Sequence, residues 1–513
     1  MKGDFSKWGF SPSDNNTGVL HQQGRVLLDA DWNAEDRIEA HWRETLGRDA
    51  IGGLVLAVPA SEFQSFRAVE AKASGGEVFV TLKPGRGWAD GMHLYSPTPA
   101  TSLPATYLPA PINPAGTSPA SIALGVRDAL VLEVWEEAVS AFQEPRDLLE
   151  PALGGMDTTE RARTCMALRL LRLGSDEDCD AVAARAQDDP SKKGKLSVTP
   201  QTALVIAGDC PLETGGGYTG LEHYLYRIEI GEPKAGAARF KWSQFNGGLV
   251  GTGRQVALNK VRIDANNQAI NHCGLTGFYL EALKKDALGC WRVVFAAGAA
   301  LSQDDELTLT PDFGTWPGGP GDSVFFRLWN RIEAVGDYLA GPGDPKLLEN
   351  GICLAFDAPA TDLSNYRPGD YWAFPVRAAG AGLDISLWPV NAPPQGVVMR
   401  RVPLAVLEWQ ADGTASQAKG QIDDCRRVFR PLTRQGVCCT YVVGDGRTTH
   451  GDFDSIQEAV DALPKAGGQV CLLPGVHEAA VSIDQRFNVT IRGCGIRTKV
   501  VPVDERPDDP LFS

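Results

Sequence analysis

Residues 441–493 read YVVGDGRTTHGDFDSIQEAVDALPKAGGQVCLLPGVHEAAVSIDQRFNVTIRG, and this stretch decides the expected architecture. Short apolar runs at Tyr441–Val443, Val470–Leu473, Val481–Ile483 and Val489–Ile491 are separated by Gly, Pro and Asp signals, which predicts short strands joined by turns. Between the first two runs, Ser455 and Glu458 have capping-box spacing, and Ile456, Ala459, Val460 and Leu463 form an apolar stripe ended by Pro464 and Gly467-Gly468. That pattern predicts a helix over 455–463. Val470 and Ile491 lie 21 residues apart, the length of one coil of a parallel solenoid. The segment 433–513 is therefore expected to be the capped start of a right-handed parallel β-helix, its helix covering the first strand edge. About two coils fit before Ser513, fewer than solenoids need to stabilise themselves, so the stack is expected to be cut short or completed against a partner.

Upstream, the chain reads as mainly β with a few helices, in sandwich- or barrel-like modules. Residues 1–50 are expected to be an N-terminal segment with one helix. Asn33 is its cap, Asp36 its capping-box partner, Ile38, Trp42 and Leu46 its apolar stripe, and Gly47 its end, reinforced by Gly52-Gly53. A first β-rich module spans 51–200, with strands at Leu54–Val58, Val78–Leu82 and Ala129–Val134. A Pro-rich linker follows from Pro104 to Pro119, then a helix over 157–172 and a polar surface loop over 175–200. A second module spans 201–432, with strands including Tyr224–Ile230, Arg239–Trp242, Arg292–Ala296, Ser323–Leu328, Tyr371–Val376 and Pro403–Trp409. Turn signals such as Gly215-Gly216-Gly217 separate them.

Composition excludes several classes of function. The net charge of −15 argues against a general nucleic-acid binder, which needs cations to displace counterions, and against docking on anionic lipid. No apolar h-region follows Met1-Lys2-Gly3-Asp4-Phe5, and Val293–Leu301 is too short to span a bilayer. Synthesis in the cytoplasm without a signal peptide is the expectation, with release by lysis or within an assembled particle. The 11 cysteines are thinly spread, odd in number and contain no CxxC, which predicts buried free thiols in a reducing compartment. The adjacent Cys438-Cys439 is expected to face opposite sides of a strand.

No HExxH, Walker A, GxSxG or strand-borne GxGxxG occurs. Asp29, Asp31 and Asp36 surround Trp32, but EF-hand spacing, loop glycine and terminal glutamate are missing, so capping and solvation account for them better. Glu478, Asp484 and Asp504 are too scattered for the paired carboxylates of a glycosidase, and His450 and His477 read as turn or surface residues. Trp242, Phe245, Tyr371, Trp372 and Trp388 could form a sugar platform, although aromatic residues in strands more often serve as core. The expectation is no catalytic residue, no metal and no cofactor.

Several stretches resemble an uncharacterised bacterial family whose members carry V-x-x-QQGRV-x-LDADWNE. Here GVLHQQGRVLLDADWN occupies Gly18–Asn33, followed in order by LVLEVWEE at Leu130–Glu137, EPALGGMDTTER at Glu150–Arg161, GLEHYLYRIEI at Gly220–Ile230, ARFKWSQFNG at Ala238–Gly247, GDYWAFPVR at Gly369–Arg377 and DDCRRVFRPL at Asp423–Leu432. His21 and His223-Tyr224 depart from the family pattern. The resemblance covers residues 1 to about 432 and implies association with phage-tail-like loci or contractile injection systems. The N-terminus would anchor to a baseplate and the β-helix would project like a tail spike, in a homo-oligomer such as a trimer. No catalytic residues carry over.

Gln22, Gln23 and Arg25, with Asp31 and Trp32 behind them, are the candidate partner-binding residues. Arg25 offers bidentate contacts and the glutamines can pair with an exposed backbone edge. The competing reading is that they satisfy the domain's own backbone. A pectate-lyase-like enzyme and a module binding a cell-surface glycan are the alternatives to a structural component.

Overall fold

The computed structural model describes the chain apart from residues 1, 8–9, 97–99, 110–111, 115, 154–155, 188–192, 202–203, 207–211, 215–216, 265–267, 303–304, 342–344, 379–384, 430–438, 465, 485 and 504–513. Gly215-Gly216, Cys210, Cys438 and Asp504 therefore lie outside the described residues. The chain divides into two compact units, 1–429 and 430–513.

The first unit is mainly β. Its largest sheet has eight strands. Within it Arg127–Val139 pairs on one side with Arg161–Arg172 over twelve residues and on the other with Arg400–Glu408. This sheet thus draws strands from both 51–200 and 201–432. Its core packs Leu130, Leu132, Val134, Leu168, Leu170 and Leu404, all buried. A second, four-stranded sheet joins Arg427–Phe429 in parallel to Leu56–Pro59.

Six strands close into a barrel: Leu249–Ala257, Lys260–Ile263, Glu306–Gly314, Trp291–Leu301, Gly277–Lys285 and Val324–Trp329, in that spatial order. Closure leaves no free edge. Val261, Leu280, Phe326 and Leu307 fill its interior. Beside it, Tyr224–Lys234, Ala237–Ser243, Arg331–Ala334 and Tyr371–Val376 form a four-stranded sheet. Trp242, Trp372 and Trp388 are buried in the core of that region, Trp242 stacked on Tyr226, Trp372 edge-on to Phe356 and Trp388 tilted against Phe374. Tyr371 is buried as well.

Several sequence expectations are corrected. Residues 161–172 are a strand, not a helix. Their Arg, Leu and Met content suits a helix, but two-sided pairing with strands of the large sheet outweighs that weak preference. Pro104 lies within the strand Ala100–Tyr107 rather than a linker, just before that strand's parallel ladder begins at Ala105. The 175–200 segment contains the helix Cys179–Arg185, capped by the Asp178 carboxylate, and the strand Leu196–Pro200. The N-terminal helix spans Asp29–Ile51, so Asn33 is inside it and its end is Gly52 rather than Gly47.

Four cysteines are not free. Cys179–Cys425 and Cys439–Cys471 are disulfides, the first across 246 residues. Only tertiary folding brings such distant sulfurs together. Cys165, Cys290 and Cys353 remain buried thiols.

In the second unit, Tyr441–Val443, Gly468–Leu472 and Val489–Gly493 form a parallel sheet in which Val470 stands opposite Ile491. Gly475–Glu478 pairs in parallel with Thr498–Val501. Val481 forms no extended strand. The helix Ile456–Ala462 is capped by Ser455, whose hydroxyl accepts from the Glu458 N–H, and it buries Ile456, Ala459 and Val460 against Val443, Val470 and Leu472. Asp445 organises the first turn: its carboxylate accepts from the Thr448 hydroxyl and from the backbone N–H groups of Arg447, Thr448 and Thr449, which holds its pKa well below the usual range. Gly475 lies so close that a Cβ would sit 2.3 Å from that carboxylate. His477 is buried rather than exposed, its Nε2 3.0 Å from the Leu473 carbonyl.

Candidate functional site

The N-terminal helix meets the first unit along one face. Arg37 donates to Glu136 at 2.7 Å, and Arg48 to Asp90 at 3.1 and 3.0 Å. Arg400 reaches both Glu44 and the Asp90 carbonyl. Ile38 and Ala40 are buried, and Gly47 lies against the Gly91 backbone. At its start, Asp29 accepts from the Ser6 N–H and hydroxyl. Partial burial pushes the Asp29 pKa up, but these bonds outweigh it and lower it overall.

The other face is open and apolar. Trp32 is 57 % exposed, Trp42 61 % and Leu46 65 %. At roughly 100° per residue these three fall within about 80° of one another. The arm before the helix also exposes Leu20, Val26, Leu27 and Leu28. Burying such side chains is worth roughly 1.5–3 kcal/mol each, stabilisation that these exposed residues do not contribute.

The candidate residues fall on this surface in different ways. Gln22, Gln23 and Arg25 are exposed at a turn closed by the Arg25 N–H donating to the Gln22 carbonyl. Among the described residues, their side chains make no hydrogen bond to the protein's own backbone. Trp32 is exposed beside the His21 ring, centroids 5.4 Å apart. Asp31 is half-buried. The sequence groups Trp42 and Leu46 with Ile38 as one apolar stripe; the structure buries Ile38 and leaves the other two exposed. The missed signal was apolar character on both sides of the helix, together with the apolar arm.

A second conspicuous feature is a buried ionic cluster. The Lys241 ammonium lies 2.5 Å from Glu281 and 3.2 Å from Glu229, and Lys2 and Arg227 also pair with Glu229 at 2.8 and 2.7 Å. Burial pushes the Glu229 carboxyl up, but Lys2, Lys241 and Arg227 hold it well below its usual value. Trp329 donates its indole N–H to Glu281. Three cations thus share two carboxylates in an internal tie, which fastens Lys2 to the sheet. Among the described residues, no three His, Cys, Asp or Glu side chains gather as metal ligands. Among the described residues, no helix is long and apolar enough to cross a membrane.

A family model for a family of unknown function (DUF6519) matches residues 1–193. No curated protein and no solved structure matches the chain.

Proposed function

We propose that this chain is a non-catalytic structural or attachment protein, anchored to a larger protein assembly by its N-terminal arm and helix. The observation that carries this reading is the open apolar face of Trp32, Trp42 and Leu46 on a helix whose other face is already docked, with Leu20 and Val26 exposed on the arm before it. Glu35, Asp36 and Glu39 lie between the two tryptophans and make no ion pair among the described residues. The surface thus suits an apolar partner groove bearing Lys or Arg at its centre. Gln22, Gln23 and Arg25 would form the polar rim.

The parallel strand pairs of the second unit support a further part of this reading. They are the first coils of a right-handed parallel β-helix projecting from the assembly, in a homo-oligomer such as a trimer. With the motifs of residues 18–33 and their likeness to tail-associated sequences, the best-fitting assembly is a phage-like tail or contractile injection system, at the baseplate or as a spike.

The test is purification of native particles, with electron microscopy and antibody labelling of this chain. Wild-type protein is expected at one end of the particle, and a Trp32→Glu, Leu46→Glu variant is expected to be missing from it while remaining folded. Recovery of the wild type only as a free monomer, with no particle, sinks the proposal.

A further inference from the structure

The turn between two barrel strands, Gly277–Lys285 and Trp291–Leu301, reaches the large sheet and brings two thiols into one cluster. Cys165 belongs to the sheet strand Arg161–Arg172, and Cys290 ends the turn. They are 0 % and 1 % exposed, and Trp135 is buried with them. The parallel ladder with Ala100–Tyr107 begins only at Leu168, so the preceding residues of that strand edge meet the turn instead. There the Met166 N–H donates to Cys290 Sγ at 3.4 Å, and Arg292 donates to the Met166 carbonyl at 3.1 Å. The turn itself is fixed. Asp286 Oδ1 accepts from the N–H groups of Leu288 and Cys290, both at 2.9 Å, and the Asp286 N–H donates to the Cys290 carbonyl at 2.8 Å. The Trp291 N–H donates to Glu137 at 3.3 Å, and the Arg292 guanidinium lies 4.4 Å from the centroid of the Trp135 ring. Cys290 is thus held from both flanks against the sheet that carries Cys165.

The two sulfurs are chemically unequal. The hydrogen bond between them raises the pKa of Cys165, with burial and the Glu137 carboxylate adding to it. The same bond lowers that of Cys290 against the effect of burial, and the Met166 N–H and the Arg292 charge assist. The thiolate is the attacking species in disulfide exchange. Cys290 is therefore the nucleophile, and Glu137 stands beside Cys165 to take its proton.

We propose that Cys165 and Cys290 are a further disulfide site, closed by oxidation so that the barrel is tied covalently to the large sheet. A buried cysteine often serves only as a small apolar residue. This pair differs, because two sulfurs from separate elements meet on backbones that are already fixed, and two other cysteine pairs of the chain are joined. The oxidant is an external disulfide, admitted when the Asp286–Cys290 turn lifts from the sheet. Cys290 Sγ attacks one of its sulfurs, the external S–S bond breaks, and the other half leaves with the proton that Cys290 has lost. Cys165 passes its proton to Glu137, and its Sγ attacks Cys290 Sγ. The second half leaves and takes that proton from Glu137. Two protein thiols give up two electrons, and one external disulfide becomes two thiols.

The test is peptide mapping of the full wild-type chain, purified without reductant and equilibrated with oxidised glutathione. Remaining thiols are then alkylated in denaturant, and the chain is digested with trypsin without reduction. Cleavage places Cys165 in residues 164–169 and Cys290 in residues 286–292, each peptide holding a single cysteine. The two are expected as one cross-linked species in most molecules, lighter by two hydrogens than the sum of the free peptides and separated by reductant. The same oxidation run in urea is expected to give at least tenfold less of it, because only the fold sets these sulfurs side by side. The proposal is overturned if both peptides are recovered only alkylated, if either carries glutathione or a different cysteine instead, or if urea leaves the yield of the cross-link unchanged.

Discussion

Glu160 has a carboxylate oxygen buried without a hydrogen-bond partner, and burial pushes its pKa up to about 7 against the pull of Arg327. The folded protein therefore holds this proton where the unfolded chain has released it. The resulting stability is fully present below the unfolded value near 4.5 and is lost as pH rises through about 7. Thermal melts at pH 5 and pH 8 should show the wild type losing stability over that window, and Glu160→Gln should flatten the difference. Lys241 makes the opposite case of a charge that is fully paired. Lys241→Met would leave Glu229 and Glu281 without their shared cation in a buried site, at a cost of about 3–5 kcal/mol. Denaturant unfolding would measure it, and a loss below about 1 kcal/mol would show the cluster to be well hydrated. At this scale the aromatic residues were legible: β-rich surroundings predicted core for Trp242, Trp372 and Trp388, and all three are buried. The ionic cluster was not, because its members come from residues 2, 227, 229, 241 and 281 and no local pattern links them.

For the N-terminal helix, docking and display can be separated by substitution. A Cβ at Gly47 would lie 2.8 Å from the Gly91 carbonyl oxygen. Gly47→Val should therefore push the helix off its sheet and cost about 1–3 kcal/mol, seen as lost hydrogen-exchange protection over 38–50. Trp42→Glu on the opposite face should change stability by no more than about 0.5 kcal/mol while abolishing incorporation into particles. A large stability loss from Trp42→Glu would mean that this face is packed in the isolated protein. The helix itself was legible from its periodic residues, although its two faces were not told apart, because Ile38, Trp42 and Leu46 share a spacing whichever side is buried. The strand at 161–172 was misread for a different reason: its residues favour helix locally, and only the neighbouring strands settle the matter.

On the scale of the whole chain, each unit carries its own core and its own disulfide. Closing the 32-residue span between Cys439 and Cys471 should stabilise the second unit by roughly 3–4 kcal/mol. The double variant Cys439→Ser, Cys471→Ser should lose hydrogen-exchange protection in Gly468–Leu472 and Val489–Gly493, while protection in the eight-stranded sheet of the first unit stays unchanged. Equal loss in both units would show that they unfold as one.

The sequence by itself determined the β-rich class, the helix at 456–462 with its Ser455 cap, and the register that sets Val470 opposite Ile491. These features rest on caps, turn residues and a short repeat, all of which act between residues near one another along the chain. Tertiary structure alone decided the closed barrel, the pairing of 57–59 with 427–429, the Cys179–Cys425 bond and the outward turn of Trp42 and Leu46. Each of those depends on which distant surfaces meet, and burial is a property of the neighbours that arrive rather than of the residue that waits for them.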